Sequence, residues 1–152
     1  MKAFFRHLRG VLVFGGFTVN TLFWFLPIFL LAVVKLLLPI PVLRRGITRV
    51  LMVFGETWIA LNSAILATAA SIDWQATGTE KLRRDGWYLL MANHQTWVDI
   101  LVLQKVFNRR VPFLKFFIKQ QLIWFPFLGI AWWALDMPFM KRYSASYLAR
   151  NP

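Results

Sequence analysis

The sequence has no cysteine, only two histidines and only six acidic residues among its 152. Without cysteine, the chain cannot form a disulfide, use a thiolate nucleophile or hold a cysteine-ligated zinc or iron–sulfur site. Two histidines also argue against a metal site built from imidazole ligands. These absences exclude the cysteine-dependent classes of enzyme and metalloprotein.

Apolar and basic residues are abundant instead. Hydrophobic residues make up 59% of the chain, whereas roughly 45–50% is typical of soluble domains. They include 15 Phe and 8 Trp, and 18 Lys and Arg residues give a formal net charge of +12. A disordered chain would need low hydrophobicity, and a freely soluble domain could not cover so much apolar surface. The composition therefore indicates a membrane-attached protein with a basic face.

The positions of the basic residues help to choose among nucleic acid, anionic lipid and an anionic substrate as partners. Seven of the 18 flank apolar segments near the N-terminus, where they can contact lipid head groups. These are Lys2, Arg6, Arg9, Lys35, Arg44, Arg45 and Arg49. The other 11 follow from residue 81 onward without a zinc finger, an RNP-like strand or a Gly-rich arm. We therefore expect membrane lipids as partners, and no nucleic acid.

Two long stretches with almost no charge precede residue 73. Residues 11–34 carry no charge, and as a helix they would reach roughly 36 Å, enough to cross a hydrocarbon core of about 30 Å with tilt. Residues 50–72 carry only Glu56 and contain more polar side chains, which favours a helix packed on the first or lying in the interface. We predict a membrane-embedded helical region over residues 1–72, with Pro27 kinking its first helix.

Pro39, Pro41 and Gly46 predict a turn between the two helices, with Arg44 and Arg45 inside it. If both helices crossed the membrane, the basic residues around this turn would be translocated, against the positive-inside tendency. A hairpin held in one leaflet avoids this, and so does a single span with the N-terminus outside. Both arrangements leave everything after about residue 73 in the cytoplasm, and the sequence leaves both open.

From residue 73 the pattern changes to short elements of alternating kind. Strands are predicted at residues 74–77, 87–92, 112–118 and 136–140, although the Phe-rich third run is also compatible with a helix. Helices are predicted from Gln95 or Thr96 to about Phe107, over residues 121–135, and over residues 143–150. Such alternation indicates an α/β layer. We therefore expect residues 73–152 to form the first portion of an α/β domain that follows the helix hairpin.

His94 and Asp99 are the pair that suggests acid–base catalysis. Within a single helix, a spacing of five would place them roughly 140° apart. They can meet only if His94 lies in a loop that folds back over the first helical turn, with Thr96 as N-cap. Asp99 could then hold the proton of one imidazole nitrogen and leave the other as a base. The alternative is structural: a loop histidine beside a carboxylate that the helix dipole favours at this position.

A covalent mechanism has little support in the sequence. None of the serines lies in the Gly-x-Ser-x-Gly turn of a hydrolase nucleophile. Because cysteine is also lacking, a base that acts directly on a substrate hydroxyl fits better.

The segment from Asn93 to Asp99 resembles the His-x4-Asp motif of the glycerolipid acyltransferases, the family of 1-acyl-glycerol-3-phosphate acyltransferase. Three further blocks resemble the same family in the same order. They are residues 74–80 with Gly78, residues 119–122 with Pro126 and Gly129, and residues 139–142. Thr96 stands where the family often has serine, and it keeps the hydroxyl. The resemblance covers about residues 73–142, and two N-terminal membrane helices are also usual in the family.

The resemblance implies an acyltransferase of phospholipid biosynthesis that uses acyl-CoA or acyl carrier protein as donor. The acceptor would be the hydroxyl of a lysophosphatidate-like glycerophospholipid, with His94 as the base and Asp99 as its orienting carboxylate. The residues implied in substrate binding are Arg142, Lys119, Lys141 and Asn93, with Arg142 at the acceptor phosphate. No metal or other cofactor is implied. Two proline-containing stretches, residues 35–42 and residues 135–142, resemble the sequences of a family branch that is found in the bacterial inner membrane. Membership of that branch would place the catalytic portion on the cytoplasmic side.

The sequence also departs from the family pattern. The third motif, a Glu-Gly pair after a Phe-rich strand, and the fourth, a proline motif, do not occur in these 152 residues. The sequence stops at Pro152 while a helix is predicted to be under way. We therefore expect a C-terminally truncated chain that is itself inactive. The alternative from another class is a non-catalytic, basic membrane anchor or interaction module, in which His94 would be dispensable.

Overall fold

Two long helices form the N-terminal part of the chain, and shorter elements follow. The computed structural model describes residues 2–69, 74–141, 143 and 145–150. The α-helices are α1 (Lys2–Leu37), α2 (Pro41–Ala69), α3 (Trp97–Phe107), α4 (Leu128–Ala134) and α5 (Ala145–Arg150). The other elements are the strands β1 (Ile118–Lys119) and β2 (Phe139–Met140) and a 3₁₀ helix, Gln120–Trp124.

The helices α1 and α2 pack side by side in opposite directions. The side-chain amide of Asn20 donates hydrogen bonds to the backbone carbonyl of Trp58 at 3.1 Å and to Oδ1 of Asn62 at 2.9 Å. Nearer the connection between the helices, the rings of Trp24 and Phe54 lie 5.2 Å apart. Contacts therefore join the middle of α1 to two successive parts of α2, as in a helical hairpin.

Both helices are longer than the stretches with little or no charge that predict them. The segments His7–Leu37 and Pro41–Thr68 are long and apolar enough to cross a membrane, by length and composition. The first helix runs continuously through Pro27. The prediction of two long apolar helices at the N-terminus is confirmed.

The predicted turn between these helices is wrong in its extent. Helix α2 begins at Pro41, so only residues 38–40 connect it to α1, and Gly46 lies inside α2. Proline is tolerated in the first helical turn, where its missing N–H would have no partner in any case. Glycine inside a helix costs only about 1 kcal/mol relative to alanine. Arg44 and Arg45 therefore lie at the start of α2 and not in a loop.

The apolar core lies where the helix pair meets the second half of the chain. Its largest fully buried side chains are Ile28, Leu51 and Leu135. The other buried members are Ala32, Ile47, Ile118, Ala131, Ala134 and Met137. At the edge of this core, Lys35 donates hydrogen bonds to both carboxylate oxygens of Asp136 at 2.9 Å. The helix pair and the segment around α4 thus share one core.

The α/β prediction holds only in part, because the described residues contain two strands of two residues each. These strands lie at or just beyond the ends of the predicted stretches 112–118 and 136–140. They pair in parallel, with Lys119 opposite Met140. Parallel strands point the same way, so their carboxyl ends meet at one edge of the pair. The described chain is therefore mainly helical with one small parallel pair.

The strands predicted at residues 74–77 and 87–92 do not occur in the described part of the chain. Trp87 is 99% exposed and Met91 is 86% exposed. Among the described residues, no backbone hydrogen bond of a turn, loop or cap involves residues 87–92. A strand exists through hydrogen bonds to a neighbouring strand, whereas the sequence pattern reports local preference alone. Residues 87–92 therefore have the composition of a strand, but no described segment pairs with them.

The helix predicted over residues 121–135 is interrupted between the 3₁₀ helix and α4. Pro126 cannot donate a backbone hydrogen bond, and Phe127 adopts a left-handed φ of 61°. The chain then turns so tightly that a Cβ on Gly129 would clash with the backbone carbonyl of Ile123. Pro126, Phe127 and Gly129 therefore form a corner at which the single helix predicted over residues 121–135 is broken.

A buried carboxylate connects α2 to the chain on both sides of α3. Glu56 has a side chain that is only 6% exposed, and it accepts hydrogen bonds from Nη2 of Arg84 at 2.8 and 2.6 Å. Nε of Arg109 lies 3.9 Å from the same carboxylate. The side-chain amide of Asn108 donates to the backbone carbonyl of Glu56 at 3.0 Å. Because a buried carboxylate must be paired, these contacts account for the lone charge in an apolar stretch.

Replacing Arg84 with alanine should lower the free energy of unfolding by about 1–3 kcal/mol, because the Glu56 carboxylate would lose its close partner while still buried. The neighbouring substitution Arg83→Ala is a matched control. It removes an exposed pair with Asp85, in which both side chains are more than 70% exposed, and exposed pairs contribute little to stability because water screens them. Thermal unfolding of both variants in detergent would measure the difference. Equal destabilisation by the two substitutions would show that the Glu56 contact is unimportant.

Candidate active site

The loop before α3 places His94 beside the first turn of that helix. Thr96 is the N-cap residue, with an extended backbone at φ −141° and ψ 162°, and the helix begins at Trp97. His94 lies two residues before the cap, outside the helix. The predicted fold-back geometry is therefore present, although the strand predicted before the loop is not.

The Asp99 carboxylate is held mainly by the backbone of this loop. Its Oδ2 atom accepts hydrogen bonds from the backbone N–H groups of Gln95 at 2.6 Å and Thr96 at 2.7 Å. The hydroxyl of Thr96 donates to Oδ1 at 3.4 Å. Asp99 is the third residue after Thr96, which is the spacing of a capping box. Asp99 therefore fixes the conformation of the loop that carries His94.

The same contacts set the charge of Asp99. The N–H of Thr96, and then that of Gln95, lower the pKa of the Asp99 carboxyl by stabilising its ionised form. The carboxylate is therefore ionised throughout the neutral range. Since the folded-state pKa is the lower one, this cap stabilises the fold above the unfolded-state value near 3.8. That contribution is lost as the pH falls through the folded-state pKa.

The imidazole of His94 lies next to this carboxylate and is open to solvent. Its Nδ1 atom is 3.4 Å from Oδ2 of Asp99, and the histidine side chain is 59% exposed. The distance is longer than the usual 2.7–3.2 Å of an N–H···O hydrogen bond, but it is short enough for electrostatic attraction to a protonated ring. The arrangement can keep the proton on Nδ1, stabilise an imidazolium and leave Nε2 as the basic nitrogen.

The other predicted site residues lie in two places. Asn93 is exposed in the same loop as His94. Lys119 ends β1 and Lys141 directly follows β2, so both lie at the carboxyl edge of the parallel pair, and both are exposed. Among the described residues, no hydrogen bond or ion pair connects these three side chains to His94 or Asp99. Arg142 lies outside the described residues.

A family model described as Acyltransferase matches residues 73–151, just over half of the chain. The chain belongs to the glycerolipid acyltransferase family. The matched range includes the loop with His94 and the helix with Asp99, whereas α1 and α2 precede it. No curated protein and no solved structure matches the chain. Membership of the family gives the general role of the protein, which is that of an acyltransferase.

In this acyltransferase, two features near the site were not predicted from the sequence. One is the backbone contact of Asp99 with Gln95 and Thr96, for which the Thr-x-x-Asp capping spacing was an available signal. The other is the cluster of Glu56 with Arg84, Asn108 and Arg109, which fastens the two ends of the segment around α3 to α2. A single acid in an apolar helix predicts that some partner exists, but not which arginine supplies it.

Proposed function

We propose that the protein transfers a fatty acyl group from an acyl thioester to the hydroxyl of a lysophosphatidate-like glycerophospholipid. The observation that carries this proposal is the His94–Asp99 pair, which lies at the start of α3 inside the acyltransferase match. A loop imidazole beside an ionised carboxylate supplies the base that such a transfer needs.

The proposed reaction is a direct attack without an acyl-enzyme intermediate. His94 takes the proton of the acceptor hydroxyl as its oxygen attacks the thioester carbonyl. The tetrahedral intermediate then collapses, the bond from carbon to sulfur breaks, and the leaving thiolate receives the proton from the imidazolium. Asp99 stabilises the imidazolium between the two proton transfers. The lack of cysteine and of a serine in a nucleophile turn supports the direct route.

Binding of the acceptor phosphate is proposed for Arg142 together with Lys119 and Lys141, and Asn93 is proposed to contact substrate beside the base. Cationic side chains suit a phosphate, and the arginine fork can bind two of its oxygens at once. The common strand edge of the two lysines supports their inclusion. The acyl donor is proposed to be acyl-CoA or acyl carrier protein, and the reaction needs no metal or other cofactor.

We further propose that α1 and α2 attach the protein to the bacterial inner membrane, with the portion that carries His94 facing the cytoplasm. The length and apolar composition of both helices support attachment. A membrane location also suits the acceptor, because a lysophospholipid is reached from the bilayer. Phospholipid biosynthesis is the process in which this reaction would serve.

The acceptor proposal is tested by comparing lipids that differ in one group. Thiol release from acyl-CoA or acyl carrier protein would be measured with lysophosphatidate, with a monoacylglycerol that lacks the phosphate, and with an alkyl phosphate that lacks the hydroxyl. Transfer should be fastest to lysophosphatidate and should not occur to the alkyl phosphate. Equal kcat/KM values for lysophosphatidate and monoacylglycerol would rule out a phosphate-binding acceptor site.

Replacing Arg142 with alanine should raise the KM for lysophosphatidate about 10–100-fold, because a hydrogen bond to a charged group contributes about 1.5–3 kcal/mol. The value of kcat should change little, since a phosphate contact is made in the ground and transition states alike. The control is Arg150→Ala, which removes an exposed arginine in α5. The control should leave the KM unchanged. Steady-state kinetics would contradict the assignment if Arg142→Ala also left the KM unchanged, or if it lowered kcat alone.

Membrane attachment through α1 and α2 predicts resistance to washing. Isolated membranes should keep the protein after high salt and after alkaline carbonate, because buried apolar helices do not depend on charge. Deletion of residues 1–72 should weaken the attachment. Release of the intact chain by salt alone would show that its basic residues, and not the two helices, hold it to the membrane.

A further inference from the structure

The 3₁₀ helix and α4 present a surface of large apolar side chains to the outside. Trp124 is 87% exposed, and the other members are between 40 and 52% exposed. We call this surface the aromatic patch; its members are Trp124, Phe125, Phe127, Ile130 and Trp133. Residues 120–135 contain no charged side chain. Exposed large apolar side chains grouped within one short segment indicate an interaction site in a folded protein.

Helix α4 leaves large apolar side chains exposed on one of its faces. Its buried residues are small, namely Gly129, Ala131 and Ala134, and Trp132 packs against the core, whereas Ile130 and Trp133 are exposed. A soluble helix buries its large apolar side chains against the core. The corner at Phe127 and Gly129 fixes this orientation, because the chain there passes too close to Ile123 for any side chain at position 129.

The aromatic patch continues the apolar surface of α1. The ring of Phe127 lies 5.1 Å from the ring of Phe25 in an edge-to-face arrangement. On the same helix, Leu22 and Leu26 are exposed within one turn of Phe25. The patch therefore adjoins a helix that is itself long and apolar enough to enter a membrane.

Charge favours a lipid surface over a second copy of the chain as the occupant. Lys115 and Lys119 are exposed just before the patch, and the chain carries a net charge of +12. Two such chains repel one another, whereas basic residues beside an apolar surface attract anionic head groups. Tryptophan is also enriched where protein meets the boundary between lipid and water.

We propose that the aromatic patch is a second membrane-docking surface, which enters the interface of an anionic bilayer beside α1. This inference rests on the membrane attachment put forward under Proposed function and adds a second contact to it. Docking there would hold Lys119 at the level of the lipid head groups. A phosphate-bearing lipid could then reach the strand edge with Lys119 and Lys141 without leaving the bilayer.

The lack of cysteine allows a direct test, because a single introduced thiol can be labelled. A nitroxide would be attached to full-length protein carrying Trp124→Cys, and to a control carrying Asp85→Cys on the exposed turn with Arg83. Each protein would be bound to vesicles of phosphatidylcholine and phosphatidylglycerol. Collisions of the nitroxide with oxygen, which concentrates in lipid, and with a neutral nickel chelate, which stays in water, would be measured by electron paramagnetic resonance.

The label at position 124 should gain oxygen collisions and lose nickel collisions when vesicles are added, whereas the label at position 85 should stay accessible to nickel. Vesicle-bound protein with nickel-accessible label at position 124 would overturn the docking surface while leaving α1 and α2 as the anchor. A label shielded from both reagents would show that protein covers the patch, and this too would overturn the proposal. Protein that does not float with vesicles would contradict both the patch and the proposed anchor. None of these outcomes depends on acyl transfer.

Discussion

Replacing His94 with alanine is expected to lower acyl transfer by the full-length protein about 10²–10⁴-fold, the usual contribution of a general base. Alanine cannot take the proton from the acceptor hydroxyl. Among the described residues, Asp99 is the one acidic side chain in contact with this loop, and no second histidine contacts it. The side chain of His94 is largely exposed, so its removal should leave the fold and membrane attachment intact. Thiol release and acylated lipid would be measured together, with flotation of the same preparation on vesicles.

The second histidine provides the control for this result. His7 lies in the first turns of α1 and is exposed, so His7→Ala removes an equal side chain far from α3 in the sequence. The control should retain the activity of the unsubstituted protein. Full activity of His94→Ala would refute the assignment of the base and would favour the non-catalytic alternative for this loop.

Asparagine in place of Asp99 is expected to lower transfer by about 10²-fold, at the lower end of the range for acid–base groups. The asparagine oxygen can still accept hydrogen bonds from the N–H groups of Gln95 and Thr96, so the loop can keep its shape. What is lost is the negative charge 3.4 Å from Nδ1 of His94. The substitution therefore removes the stabilisation of the imidazolium and keeps the helix cap.

A comparison with Asp99→Ala separates the two roles of this residue. Alanine removes both the charge and the oxygen that accepts from the N–H groups of Gln95 and Thr96, so the half of the capping box supplied by Asp99 is lost. Thermal unfolding should show the Asp99→Ala protein as the less stable of the two, while both variants have low activity. If Asp99→Asn were fully active and Asp99→Ala were inactive, the carboxylate would serve only as a cap, and its proposed electrostatic role would be wrong.

The helices could be predicted from the sequence because their signals are local. A charge-free run at residues 11–34 marks α1, and Thr96 marks the start of α3. Each backbone hydrogen bond of a helix joins residues four apart, so a short window holds the relevant information. The predicted start of α2 is wrong because Pro41 and Gly46 are compatible either with a turn or with the positions that they occupy in the helix. Proline stops a helix in its interior but begins one in its first turn.

The strands could not be predicted in the same way, since their hydrogen bonds join residues far apart in the sequence. Residues 87–92 have a strand-like composition, but no described segment pairs with them. Ile118 pairs with Phe139 across about twenty residues, a register that no local pattern specifies. The corner at Gly129 was missed for a related reason, because the close approach of Ile123 depends on the three-dimensional path of the chain.

The candidate site was predictable to the extent that its residues are neighbours in the sequence. The spacing of His94 and Asp99 required a loop before the helix, and the loop is present. The backbone contacts of Asp99 refine this picture, because they show that the carboxylate also closes a capping box with Thr96 at the start of α3. The place of the lysines relative to His94 depends on long-range packing, so their roles came from family resemblance and stay predictions.

Acceptor-dependent release of thiol is the measurement that tests direct acyl transfer most closely. Full-length protein would be mixed with an acyl thioester, with and without lysophosphatidate, while free thiol and acylated lipid are counted. Direct attack predicts one thiol for each acylated acceptor and no release when the acceptor is omitted. A release of one thiol per protein molecule before acceptor is added would reveal an acyl-enzyme and contradict direct attack. A lack of transfer in the presence of both substrates would contradict the proposed function itself.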